Sequence, residues 1–312
     1  MRRAARVWLA AALLAASCTG GSTSSSPPPA SRFSLQVAST DLSTGSPQRV
    51  QVGVFSSSDQ GVELLTGGTI PITLTPADGG QPIDADATYV PAPGTPSPAS
   101  PGLTPPSEAR GVYQLNDIMF PKIGVWNARL SFNTNGQPVD LTASFGVSDA
   151  SALPAPGDRA FHTENLTMAD AKHDPQAVDS RTMDGAPVPD PELHRDTIAD
   201  ALDAHRPILV LFATPVYCVS QFCGPSTDAL ERLAKIGPSD AAYIHIEIWA
   251  KPPPPTGKTF KPTDAAAQWL YRNQDLTEPW LFLIGRDGVI VDRWGPLFDP
   301  HEVLQELEKA DR

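Results

Sequence analysis

From Arg32 to Ser148 apolar residues return at every second position and no stretch returns at helical spacing, which commits this part of the chain to strands. "FSLQVAS", "RVQVGVFS", "TIPITLTP", "GVYQLNDIMF", "GVWNARLSFN" and "VDLTASFGV" are short, alternating and divided by turn residues. In "GVWNARLSF", Trp126, Ala128, Leu130 and Phe132 share one face while Val125, Asn127, Arg129 and Ser131 share the other, so the strand has a buried side and a wet side. Strands spaced this way predict an all-β sandwich over residues 32–148. The intervening "TPADGGQPIDADATYVPAPGTPSPASPGLTPPSEA" is too rich in proline to join a ladder, and reads as an exposed loop with one short strand near Thr88 to Val90.

After Arg195 the pattern changes. "DTIADALDAH" is a helix capped by Asp196 or Thr197, and "RPILVLFAT" is a continuous apolar run of the kind buried on both sides of a parallel sheet. Then come a helix over "TDALERLAKIG", a strand over "AAYIHIEIW", a helix over "TDAAAQWLYRN" and a hairpin turning at Asp287-Gly288. The last helix, "DPHEVLQELEKA", has Asp299 as its cap and Pro300 as its first residue. This order predicts an α/β domain over 196–312, joined to the β domain by a Pro/Asp/Ala-rich linker, 149–195, that lies over a domain surface. A chain of 312 residues accommodates two such domains, at roughly 100 to 200 residues each.

The start, "MRRAARVWLAAALLAASCTGG", has a basic head, an apolar stretch from Val7 to Ala16 too short to span a bilayer, and small residues before Cys18. It resembles a bacterial lipobox, with Ala15 where that motif usually has Leu. The resemblance implies that residues 1–17 are a lipoprotein signal peptide and that Cys18 is lipidated. The chain would then be anchored to the extracytoplasmic face of the cell membrane, with 18–31 as a flexible tether. A plain cleaved signal peptide with an incidental cysteine is the other reading. The formal charge of −12, with no basic run beyond Arg2-Arg3, argues against nucleic acid as a partner.

Export gives the remaining cysteines their meaning. With Cys18 acylated, Cys218 and Cys223 are the two thiols left, and outside the cytosol such a pair oxidises unless something reduces it. They fall where the "ILVLFAT" strand gives way to a helix. Cysteines so placed, with Leu230 and Leu233 following at core spacing and Pro279 ahead of the hairpin in "TEPWLFLIG", resemble the thioredoxin superfamily across roughly 196–310. The segment "GVYQLNDIMFPKIGVWNARLSF" resembles the closing hairpin of exported immunoglobulin-like domains, so the fold class implied is multidomain: an immunoglobulin-like sandwich followed by a thioredoxin-like domain.

The thioredoxin resemblance implies disulfide exchange with the thiols or disulfides of exported proteins, and an unidentified redox partner that resets the pair. Cys218 would be the attacking thiol and Cys223 the resolving one, with Tyr217, Glu278 and a cis Pro279 shaping the substrate surface. A helix N-terminus favours the thiolate that such chemistry needs. Four residues separate the cysteines, where the family usually has two. Positions five apart on a regular helix point about 140° away from each other, so the pairing requires a loop or a distorted first turn. An alternative alignment sets "FCGPS" against the family motif and makes Cys223 the nucleophile. The family's buried acidic residue in the preceding strand is missing from "ILVLFAT". Two rivals stay open: a fixed structural disulfide in a binding or scaffold protein, and a copper clip in which soft thiolates act with a histidine such as His245. His245 and Glu247 share a strand face, as a hydrogen-bonded pair or as a proton acceptor or metal ligand. No cofactor and no dedicated metal site is expected.

Overall fold

The computed structural model describes residues 32–311 apart from 60, 109, 135–136, 219, 251–260 and 272–275. The signal, the tether and Cys18 lie outside the described residues, as does "PPPP" at 252–255. Among the described residues no helix is long and apolar enough to cross a membrane.

The described chain is β-rich and carries two sheets. Nine strands form the first: β1 (Phe33–Val37), β2 (Gln48–Ser58), β3 (Gly61–Thr66), β4 (Thr69–Pro76), β5 (Ile83–Pro91), β6 (Gly102–Thr104), β7 (Gly111–Ile118), β8 (Gly124–Thr134) and β9 (Gln137–Val147). They run in the order β6-β3-β2-β7-β5-β4-β8-β9, with β1 paired to β2. Alternation does the work the sequence assigns to it: Val50, Val52 and Val54 of β2, Ile72 and Leu74 of β4, and Trp126, Ala128 and Leu130 of β8 all enter one core. The ladder is continuous, so the expected sandwich of separate sheets is here a single sheet curled over its own apolar face. Phe33 of β1 meets Phe132 of β8 edge to face at 5.2 Å.

Two local expectations change. The segment with Tyr113 and Trp126 is not a hairpin, because β7 pairs with β2 and β5 while β8 pairs with β4 and β9. Phe120 in the crossing between them packs on Trp126 at 5.0 Å. The proline-rich stretch contributes a full strand, β5, whose Ala85, Ala87 and Tyr89 turn inward and whose Asp84, Asp86 and Thr88 turn outward. Prolines there end the strand at Pro91 without interrupting its pairing with β4.

The second sheet has the order β11-β10-β12-β13, built from β10 (Ile208–Ala213), β11 (Ala242–Glu247), β12 (Trp280–Ile284) and β13 (Ile290–Trp294). β10 runs parallel to β11 and antiparallel to β12. Its six residues are all buried, and the pleat sorts them between two cores. Ile208, Val210 and Phe212 meet α2 (Ile198–Asp203) and α4 (Asp264–Leu270); Leu209, Leu211 and Ala213 meet α3 (Cys223–Ile236) and α5 (Pro300–Ala310). Thr197 and Asp299 cap α2 and α5 by accepting from the N–H groups of Asp200 and His301.

The segment from 149 to 195 is built into this second lobe rather than laid over it. It carries α1 (Pro175–Val178) and three short 3-10 turns, and it buries Leu153, Asp179, Leu193 and His194. Sequence periodicity could not reveal it, since turns of three to six residues make no repeating face.

Charged contacts join the two lobes. Arg49 of β2 makes a forked pair with Asp292 at 2.7 and 2.8 Å and reaches Glu302 at 2.6 Å. Arg293 meets Asp41 at 2.7 Å with both side chains under a tenth exposed, and Gln51 bonds both ways with the Leu297 backbone. Burial works to raise the Asp41 carboxyl, but the Arg293 charge and hydrogen bonds from Ser151 and Ala152 outweigh it and hold the group below its ordinary value. Asp41→Asn leaves the Arg293 charge buried without its partner, so it should destabilise the fold by about 3–5 kcal/mol at neutral pH in urea unfolding. A depressed folded pKa contributes stability that is present above the unfolded value and lost as pH falls through the folded one. The gap between wild type and variant should therefore close in acid; a gap that is constant with pH would refute this assignment.

Candidate functional site

β10 ends at Ala213, and the chain then loops through Val216 (44 % exposed), Tyr217 and Cys218 before Cys223 opens α3. Cys218 and Cys223 are joined as a disulfide with Cα atoms 5.9 Å apart. One cysteine sits in the loop and the other begins the helix, which removes the conflict that a regular helix would impose. Gln221 adopts φ 63° to turn the loop into that helix. Phe222, at the N-cap, supplies no capping side chain. The Cys223 N–H instead points at the Cys218 sulfur at 3.3 Å, and the Ser220 hydroxyl lies 3.2 Å from the same sulfur. Donors at the positive end of a 14-residue helix therefore converge on Cys218, the more exposed cysteine, while Cys223 is fully buried.

The peptide bond between Glu278 and Pro279 is cis. A Glu278 carboxylate oxygen lies within 4.8 Å of both sulfurs. Pro279 itself is buried. A cleft of about 700 Å³ opens beside the disulfide between the lobes, with Phe55 and Val112 from the first and Phe222, Trp249, Leu276 and Glu278 from the second among its walls. Tyr217, Pro279, Cys218 and Cys223 are not among its lining residues. Tyr217 lies on the other side of the loop, where burial and the Glu247 charge push its phenol up.

Beneath the loop is a polar cluster that the sequence shows only in part. Glu247 ends β11 opposite Ala213, and it accepts from the N–H groups of Ser180 at 2.9 Å and Ile248 at 3.0 Å. Burial raises its carboxyl pKa against hydrogen bonds from Ser180 and Thr214, which favour the charged form. His245 lies two residues earlier, next to Asp179, Arg181 and His194 from the segment expected to be a linker. Asp179, Arg181 and His194 carry no periodic signal, so only the fold brings them to the sheet. His245 is not grouped with the two sulfurs; Glu278 is the described side chain that completes that group. Comparison with protein-family models, curated proteins and solved structures finds no match to this chain.

After mild reduction, Cys218 should react with iodoacetamide at least about tenfold faster than Cys223, because reactivity follows thiolate character and access. Mass spectrometry of peptides from a short alkylation pulse checks this. Equal labelling, or faster labelling of Cys223, would reverse the two roles.

Proposed function

We propose that this chain is a lipid-anchored, extracytoplasmic thiol–disulfide oxidoreductase with a β-rich N-terminal domain and a thioredoxin-like C-terminal one. The observation that carries the reading is the Cys218–Cys223 disulfide at the mouth of α3, with its outer sulfur approached by a helix N–H and its neighbours Ser220, Gln221, Phe222 and Glu278 lining a cleft. In the oxidised form, a client thiolate attacks the Cys218 sulfur. The Cys218–Cys223 bond breaks, Cys223 leaves as a thiolate and takes up a proton, and a mixed disulfide joins the client to Cys218. A second client thiolate then attacks its own sulfur in that mixed disulfide, closing the client disulfide and releasing Cys218 as thiolate. Two electrons pass to the enzyme, and the reverse sequence reduces a client. A separate redox partner resets the pair. Each lobe gives the cleft apolar walls, Phe55 and Val112 from one and Phe222, Trp249 and Leu276 from the other, with polar groups among them; such a surface suits an unfolded or extended client segment and gives the β lobe a share in holding it.

The scaffold reading, in which the disulfide is fixed, has the complete burial of Cys223 in its favour. Trapping separates the two. Cys223→Ser should accumulate a mixed disulfide through Cys218 when mixed with a peptide that carries a disulfide, whereas Cys218→Ser should not, and oxidised wild type should oxidise the reduced peptide dithiol at least about a hundredfold faster than free oxidised glutathione does. Absence of both trapping and turnover would leave the scaffold reading standing.

A further inference from the structure

The geometry points to a buried metal site formed by Asp179, His194 and His245, taking a divalent first-row transition ion such as zinc; we infer it independently of the redox reading. The three side chains come from different parts of the second lobe: the turn after α1, the 3-10 turn Pro191–His194, and β11. Each is essentially fully buried, with exposures of 0 %, 0 % and 1 %. Their donor atoms lie within 4.8 Å of one another.

The hydrogen positions supply the main argument. His245 Nε2 lies 3.2 Å from the Ala213 carbonyl oxygen, which can only accept. Nε2 therefore carries the proton, and in the neutral ring Nδ1 is a bare lone pair. That lone pair faces Asp179 Oδ2 at 3.4 Å, another acceptor. His194 Nε2 stands 3.4 Å from the same oxygen. Neither of these nitrogens has a hydrogen-bond partner, and His194 Nδ1 has none either. His245 Nδ1 and Asp179 Oδ2 are thus acceptors aimed at one another in a dry interior, and a metal ion between them would satisfy the imidazole lone pair that Arg181 does not reach.

Distance decides which cation. An imidazolium donating to a carboxylate closes to about 2.7–2.9 Å. Ligands of a tetrahedral zinc bound at about 2.0–2.1 Å stand about 3.3–3.4 Å apart, the length of the tetrahedron's edge. Both separations from Oδ2 match the edge. The second nitrogen of His245 is fixed on a backbone carbonyl, as in an outer metal shell, and Arg181 donates to both Asp179 oxygens: its backbone N–H and Nε to Oδ1, and Nε at 3.2 Å and Nη2 at 2.7 Å to Oδ2. Arg181 also pairs with Asp190 at 2.9 Å. Asp179 and Asp190 share the single Arg181 guanidinium, which leaves room for further positive charge beside them. Two imidazoles and a carboxylate are a donor set for zinc and its neighbours. They supply three of four positions and leave the last to an exogenous ligand. The ion would pin the 149–195 segment to β11 directly beneath the cysteine loop.

The test uses the full chain with its disulfide intact, so that Cys218 and Cys223 cannot ligate. It is unfolded, stripped with chelator and refolded with or without zinc chloride. Mass spectrometry of the metal content should find about one zinc per chain, and zinc should raise the melting temperature, since binding is linked to folding. Variants H194Q and H245Q should each fall below about a tenth of an equivalent and lose the zinc-dependent gain in melting temperature. A Cys218→Ser/Cys223→Ser variant should keep both. Should a histidine variant fail to fold, cobalt added to refolding wild type gives a second readout, the visible absorption of four-coordinate cobalt with nitrogen and oxygen ligands. Wild type that refolds equally well without metal and takes up none would overturn the inference, as would zinc retained by both histidine variants.

Discussion

The burial of β10 on both faces is the constraint on which the second lobe depends. Six consecutive apolar residues, Ile208–Ala213, leave water entirely, and a strand with no wet side must be covered by helices above and below. That requirement fixes β11 and β12 as its neighbours and packs α3 and α5 on one face against α2 and α4 on the other. The strand must also end where its apolar run ends. The abrupt exit at Ala213 places the cysteine loop at the rim of the sheet, and the parallel register sets Glu247 level with it.

Polar groups in this interior follow from the same geometry. β11 carries His245 and Glu247 alternating with Ile244 and Ile246, and their side chains point away from the isoleucine face. Buried imidazole and carboxylate need partners, and the sheet offers few, because its own N–H and C=O groups are used in the ladder. The segment 149–195 meets Glu247 with the Ser180 N–H and brings Asp179, held by Arg181, up against His245. A stretch with no regular repeat of its own is therefore held in place by the polar atoms it satisfies as well as by Leu153 and Leu193. Arg49 of the first lobe and Arg293 of the second do similar work across the junction, where desolvated pairs favour one relative placement of the lobes over others.

Much of this was legible from residue order. The continuous run in "RPILVLFAT", the alternation in "GVWNARLSF" and the capping signals Thr197 and Asp299 each translate one local rule into one element. What was not legible depends on pairing. Alternation tells a strand which face is buried but not which strand it lies beside, so β7 and β8 read as a hairpin although their partners lie elsewhere. Proline density concealed β5, whose short Asp/Ala alternation is as regular as any other strand. Nothing local distinguishes Asp179 and His194 from neighbouring linker residues; their meeting with His245 is a property of tertiary structure alone. For Cys218, Cys223 and Glu278 the sequence indicated position but not exposure, and exposure is what separates the two sulfurs.

The central claim is that the Cys218–Cys223 bond is made and broken in use. Its reduction potential tests this most directly, measured by equilibrating the soluble fragment with glutathione or dithiothreitol buffers and trapping the thiols for mass spectrometry. The account predicts a value between about −120 and −270 mV, the range of working disulfide exchangers. A bond still oxidised below about −300 mV would contradict it and make the disulfide a staple of the cysteine loop.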